Sequence, residues 1–219
     1  MADPGGASNQ YFEADPTVPS ARSTITLTLP DLTVDLVTDT GVFSGDRVDP
    51  GTKLLLLDGP RPAGGAATYL DLGCGYGPIA IALARRAPEA TVWALDVNER
   101  ARGLCAENAA AAGVGDRVRV VAPESVPDDV VFDGIWSNPP IRIGKPALHG
   151  LLTAWLDRLT PTGAAHLVVQ KHLGSDSLAA WLDRSGFRVE RTGSRMGYRL
   201  LTVRRRPPTP DGPPNEDPA

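Results

Sequence analysis

Cysteine is nearly absent. Cys74 and Cys105 are the only two, they form no Cys-x-x-Cys pair, and both fall in apolar stretches. This excludes a disulfide framework and a cysteine-based metal site, and implies reduced thiols in a cytoplasm. The three histidines, His149, His166 and His172, show no ligand spacing and read as structural or surface residues. No apolar run approaches 18 residues, so no membrane span is expected. Met1-Ala2-Asp3-Pro4 lacks the basic and apolar pattern of a signal peptide. Aromatics are scarce at 5%, but a hydrophobic fraction of 42% is ample for a core. An excess of one charge is also missing: the net charge is −4. Residues 1–20 hold Asp3, Glu13 and Asp15, residues 207–219 hold Asp211, Glu216 and Asp217, and neither end has a basic residue. Removing those six negative charges leaves the body at +2. Such a body permits a local basic face but carries no strong electrostatic footprint.

What is present is punctuated by glycine and proline. Thr24–Leu29 and Leu32–Val37 alternate with period two around Pro30-Asp31, predicting a hairpin that extends the main sheet. Asp49-Pro50-Gly51-Thr52 precedes an apolar helix over Lys53–Leu57, with Asp49 or Thr52 as its cap. Beyond the Pro/Gly linker Pro60–Ala66, strands are expected near 67–71, 91–96, 117–121, 131–136, 164–170, 186–191 and 197–203. Helices are expected near 78–87, 98–112, 147–159 and 176–184. This alternation predicts a Rossmann-like α/β fold with a mostly parallel seven-stranded sheet and helices on both faces. The short link Thr192–Gly197 requires the last two strands to pair antiparallel. The organisation reads as a flexible segment over 1–20, a single domain over 21–206 and a disordered Pro-rich tail over 207–219. Gln10-Tyr11-Phe12 is a candidate to pack back on the body.

The chain is organised around Asp71-Leu72-Gly73-Cys74-Gly75-Tyr76-Gly77. It follows a buried strand and precedes the helix beginning Pro78-Ile79-Ala80. Strand, glycine turn and helix make a nucleotide-cofactor layout. A dinucleotide site has G-x-G-x-x-G and no acid at the strand end. Here Asp71 would repel a pyrophosphate but suits S-adenosylmethionine (SAM), which carries an ammonium and a sulfonium. Asp96, 25 positions on, ends the next strand, Ala90–Leu95. There it is placed to bind ribose hydroxyls or to cap the following helix; Asn98 is an equal candidate for the cap.

A third strand end carries the chemistry. Val131–Ser137 runs into Asn138-Pro139-Pro140-Ile141. The prolines stop the strand in a rigid turn. The Asn138 side-chain carbonyl and the Pro139 backbone carbonyl are two acceptors for the hydrogens of an –NH₂ group.

With these motifs in order, the chain resembles the small-domain family of class I SAM-dependent methyltransferases, and within it the members related to ribosomal RNA small-subunit methyltransferase C. Gly41-Val42-Phe43-Ser44, Asp49, Gly51-Thr52, Asp71–Gly77, Asp96-Val97-Asn98 and Asn138-Pro139-Pro140 carry the resemblance, which covers about Tyr11 to Val203. It implies methylation of an exocyclic amine, guanine N2 of ribosomal RNA first. The alternatives are a protein glutamine or small-molecule amine, and a SAM-binding module without catalysis. The implied catalytic residues are Asn138, Pro139 and Pro140. The implied cofactor contacts are Asp71, Gly73, Cys74, Gly75, Gly77, Asp96, Val97, Glu124 and Thr52. The implied substrate contacts are Phe43, Ile141, Arg142 and Lys145. The product is S-adenosylhomocysteine, with no metal. RNA is the expected partner, of a cytoplasmic monomer or homodimer. Two positions depart from the pattern: Glu124 stands where the family has Asp, and Ile141 where many Asn-Pro-Pro enzymes have a stacking aromatic. The enzyme of that resemblance also has a duplicated second domain, for which 219 residues leave no room.

Overall fold

The computed structural model describes residues 18–206. The expectations for Gln10–Phe12 and for the tail from Pro207 lie outside them. Seven strands form the main sheet: β3 (Thr68–Leu72), β4 (Thr91–Leu95), β5 (Val118–Val121), β6 (Phe132–Ser137), β7 (Leu159–Gln170), β8 (Phe187–Arg195) and β9 (Tyr198–Arg205). Their order is β5-β4-β3-β6-β7-β9-β8, and β9 is antiparallel to both of its neighbours. The predicted class is therefore correct.

Period-two alternation inside the strands feeds two cores. Tyr69, Val92 and Ala94 point to one, with α1 (Pro50–Asp58), α2 (Pro78–Arg86) and α3 (Glu99–Ala111). Leu70, Leu72, Trp93 and Leu95 point to the other, with α4 (Lys145–Leu156) and α5 (Ser175–Arg184).

Four expectations need correction. The hairpin, β1 (Ser23–Leu29) and β2 (Leu32–Thr38), is a separate two-stranded sheet rather than an extension of the main one. The outer edge of β2 meets a side chain instead of a strand. Asn108 of α3 accepts from Val37 N at 2.8 Å and donates to Val37 O at 2.8 Å, reproducing a ladder pair. The Asn108 amide also donates to Tyr76 O at 2.9 Å, tying the hairpin to the glycine turn. Helix α1 begins at Pro50, earlier than expected, because Asp49 caps it and a proline at the first helical position comes with its φ already set. Strand β7 begins at Leu159, with a register shift opposite Phe132/Gly134, so α4 ends sooner. Strand β8 runs to Arg195 and turns through Met196-Gly197, both at positive φ (52° and 81°), as a tight two-residue hairpin requires.

Candidate active site

Strand β4 lies on one side of β3 and β6 on the other, so the chain reverses its direction of sheet growth between β3 and β6. Open α/β sheets bind ligands outside the carboxyl ends of strands at such a switch point. A cavity of about 570 Å³ opens there. The three sequence motifs meet on its walls because each follows one of these strand ends.

The glycine turn is pinned to β4. Gly73 N and Cys74 N donate to Leu95 O at 2.9 and 2.8 Å, and Gly75 N donates to Asp96 Oδ2 at 2.9 Å. Gly73 and Gly75 have φ of 79° and 54°, a backbone region that side chains disfavour. Gly77 does not line the cavity. It has φ 97°, and a Cβ there would lie 2.8 Å from Cys105 Sγ, so it serves packing against α3.

Asp71 is likewise corrected. Its side chain is fully buried and does not reach the cavity wall. Oδ2 accepts from Ala80 N at 2.9 Å, in the first turn of α2, whose N-cap Gly77 has no side chain to cap with. Oδ1 has no partner among the described residues. Burial pushes this carboxyl up to about 8, the Ala80 N–H opposing and the charge of Asp96 adding. Its neighbours Leu72 and Gly73 do line the cavity.

Asp96 reaches the cavity wall. Oδ2 accepts from Gly75 N and Oδ1 from Asn98 N, both at 2.9 Å, so each oxygen keeps a lone pair for a ligand hydroxyl. Burial raises its pKa against these hydrogen bonds. The cap of α3 is Asn98, whose Oδ1 accepts from Ala101 N at 2.9 Å. The Asp96 carboxyl on the wall, with acceptor capacity left on both oxygens, and apolar walls from Leu72, Ile79 and Val97 fit a nucleoside such as that of SAM.

Asn138 carries the most informative geometry. Its Nδ2 donates to Asp49 Oδ1 at 2.8 Å and to Thr52 Oγ1 at 3.1 Å. Asp49 Oδ1 also accepts from Gly51 N at 2.8 Å and Thr52 N at 3.0 Å. A carboxylate oxygen only accepts, so the amide cannot be turned round without setting oxygen against oxygen. The side-chain oxygen of Asn138 is thereby the free end. Pro139 and Pro140 also line the cavity, but Pro139 O already accepts from Ile141 N at 2.8 Å, leaving one lone pair. Ser137 Oγ donates to Leu72 O at 2.6 Å and ties the end of β6 to β3.

Cys74, Val97, Thr52, Phe43, Ile141 and Arg142 line the cavity. Besides Asp71 and Gly77, two more assigned residues do not. Glu124 is exposed in a 3₁₀ turn and off the wall, where Pro123 stands instead. Lys145 opens α4 rather than sitting in a loop, and is exposed away from the cavity. The sequence reading marks Asp49 as a cap and as part of the family resemblance, but not as a partner of Asn138. It overlooked Tyr198, whose ring packs where a Cβ on Gly51 would come within 2.6 Å, and whose hydroxyl accepts from Gln170 Nε2 at 2.9 Å.

Comparison with known proteins shows the family and the fold. The family model described as methyltransferase small domain matches residues 33–202. YbxB of Bacillus subtilis (strain 168), described as uncharacterized, is 32% identical over 90% of this chain and 99% of its own. The ribosomal RNA small subunit methyltransferase C of Shewanella halifaxensis is 36% identical over 64% of this chain, but over only 41% of its own length. The chain thus spans about two fifths of that relative. Among solved structures, the T. Thermophilus 16S rRNA N2 G1207 methyltransferase (RsmC), in complex with AdoMet and guanosine, superposes with a TM-score of 0.71 at 23% identity. That superposition covers 87% of this chain and 52% of the other, and shows a shared fold.

Proposed function

The chain belongs to the methyltransferase small-domain family of SAM-dependent enzymes, and from that premise we propose that it methylates an exocyclic base amine, guanine N2 of ribosomal RNA. The observation that carries this reading is the clamped Asn138 amide: its donor end is held by Asp49 and Thr52, leaving a fixed acceptor on the wall of the cofactor cavity.

Asp96, the Gly73–Gly75 turn and Val97 would hold the nucleoside of SAM, while Asp71, behind the wall, accepts from Ala80 N and fixes the first turn of α2 beside that turn. When bound, SAM supplies an electrophilic methyl group on sulfur. The remaining work is done by residues that position. An aromatic amine is a poor nucleophile because its lone pair is delocalised into the ring. A hydrogen bond to Asn138 Oδ1, and a second to the open lone pair of Pro139 O, favours a more tetrahedral nitrogen. Both acceptors are fixed before substrate arrives, so little reorganisation is needed at the moment of reaction. Arg142, exposed on the cavity rim, meets a backbone phosphate.

The guanine assignment follows the relatives' printed activities, 16S rRNA N2 methylation among them. The test is methyl transfer from labelled SAM to small ribosomal subunits, total RNA and protein extract in parallel, followed by nucleoside and peptide mass spectrometry. Label in N2-methylguanosine supports the reading. Label in glutamine, or in another base, overturns it.

A further inference from the structure

The mechanism needs only one oxygen of Asp49. Oδ1 is saturated by the Gly51, Thr52 and Asn138 N–H donors, at 2.8, 3.0 and 2.8 Å. Oδ2 makes no hydrogen bond among the described residues, and Asp49 lines the same cavity as Asn138. The neighbour of the amine-accepting oxygen is therefore a carboxylate with its remaining acceptor capacity unspent.

That neighbour distinguishes planar amines. In adenine, cytosine and a glutamine amide, an acceptor lies beside the amine: N1, N3 and the carbonyl oxygen. A carboxylate set against any of these brings lone pairs together. Guanine N2 has the N1–H donor on one side, so its edge offers N–H groups from two adjacent positions. Resting on the base-amine reading above, we infer that Asp49 is a specificity-determining residue: Oδ2 accepts from the ring N–H beside the target amine while Asn138 accepts from the amine itself. Attraction to the donor edge and repulsion of acceptor edges act in the same direction.

The scale follows from chemistry. A hydrogen bond to a charged group contributes about 10- to 100-fold in binding, and a buried mismatch costs at least as much.

The test uses the full chain saturated with S-adenosylhomocysteine, titrated by NMR with guanosine, 2-aminopurine riboside and adenosine. 2-Aminopurine keeps the 2-amino group but has an unprotonated N1. Guanosine should bind at least about tenfold more tightly than either analogue. Asp49→Asn retains an oxygen for the three N–H donors, so the cap and the Asn138 clamp persist; only the second atom changes, from acceptor to donor. In that variant the preference should shrink or reverse. Equal binding of guanosine and 2-aminopurine riboside by the wild type overturns the inference while leaving the base-amine reading intact. If neither purine binds, the inference and that reading fail together. An unchanged preference in a folded Asp49→Asn variant also overturns it.

Discussion

Asn138→Asp replaces one atom and tests the clamp from its other side. In the wild type, Asn138 Nδ2 lies 2.8 Å from Asp49 Oδ1 and 3.1 Å from Thr52 Oγ1. The substitution sets a second carboxylate oxygen against one that already holds two backbone N–H groups. The charge-assisted hydrogen bond that is lost contributes about 1.5–3 kcal/mol. Repulsion between the two charges is about 4 kcal/mol at about 4 Å and an effective dielectric of about 20. This repulsion favours retention of one shared proton by the pair of carboxyls. While that proton is held, the introduced carboxyl is neutral. It then donates O–H to Asp49 and offers its carbonyl oxygen to the substrate, as the amide does. Once the proton is lost, the site holds two repelling charges and the clamp is broken. Single-turnover methyl transfer should therefore recover toward wild type as pH falls and decline as pH rises, as a shared-proton pair does. Asn138→Ala, with no proton to hold, should show a flat ratio to wild type over the same range. A pH-independent Asn138→Asp to wild-type ratio would refute the reasoning.

Asp96→Ala should weaken SAM binding by about 1.5–3 kcal/mol, read by calorimetry, because a charged acceptor is removed from the ribose; wild-type affinity would contradict the assignment. Asp71 is pushed up to about 8, so its folded form prefers the proton, and the stability it confers is lost as pH rises from its ordinary value near 4 through about 8. Asp71→Asn should therefore gain in melting temperature relative to wild type across that window in the absence of SAM, and a constant difference would count against a buried, unpaired carboxyl. Gly77→Ala forces a Cβ to 2.8 Å from Cys105 Sγ at positive φ. It should cost about 2–3 kcal/mol, a drop of about 5–10 °C in melting temperature, and no loss of stability would show that the turn relaxes freely.

The parts of the site that the sequence revealed are those set by local chain geometry. The glycine turn, Asp96 and Asn138-Pro139-Pro140 each follow an apolar strand directly, and parallel strands in this topology deliver their carboxyl ends to one edge. The direction in which a side chain turns is not local. Asp71 faces the first turn of α2 instead of the cavity because Gly77 leaves that helix without a side-chain cap. The Asp49–Asn138 hydrogen bond joins residues 89 positions apart, and neither the cap signal nor the family resemblance at Asp49 shows that contact. Strand β7 was expected five residues too late because Pro161 and Gly163 disfavour strand, and pairing with β6 overrode that preference. Asn108 was missed because a helical asparagine gives no sign that it pairs with a strand edge.

The measurement that bears most directly on the account is the single-turnover rate of Asn138→Ala on the small ribosomal subunit, paired with its SAM affinity. An acceptor realised mainly in the transition state should affect the rate far more than cofactor binding. The expected result is a loss of about 10²–10³ in methyl transfer, with the SAM dissociation constant within about threefold of wild type. A wild-type rate, or a rate loss matched by an equal loss of SAM affinity, would contradict the claim that Asn138 acts on the amine.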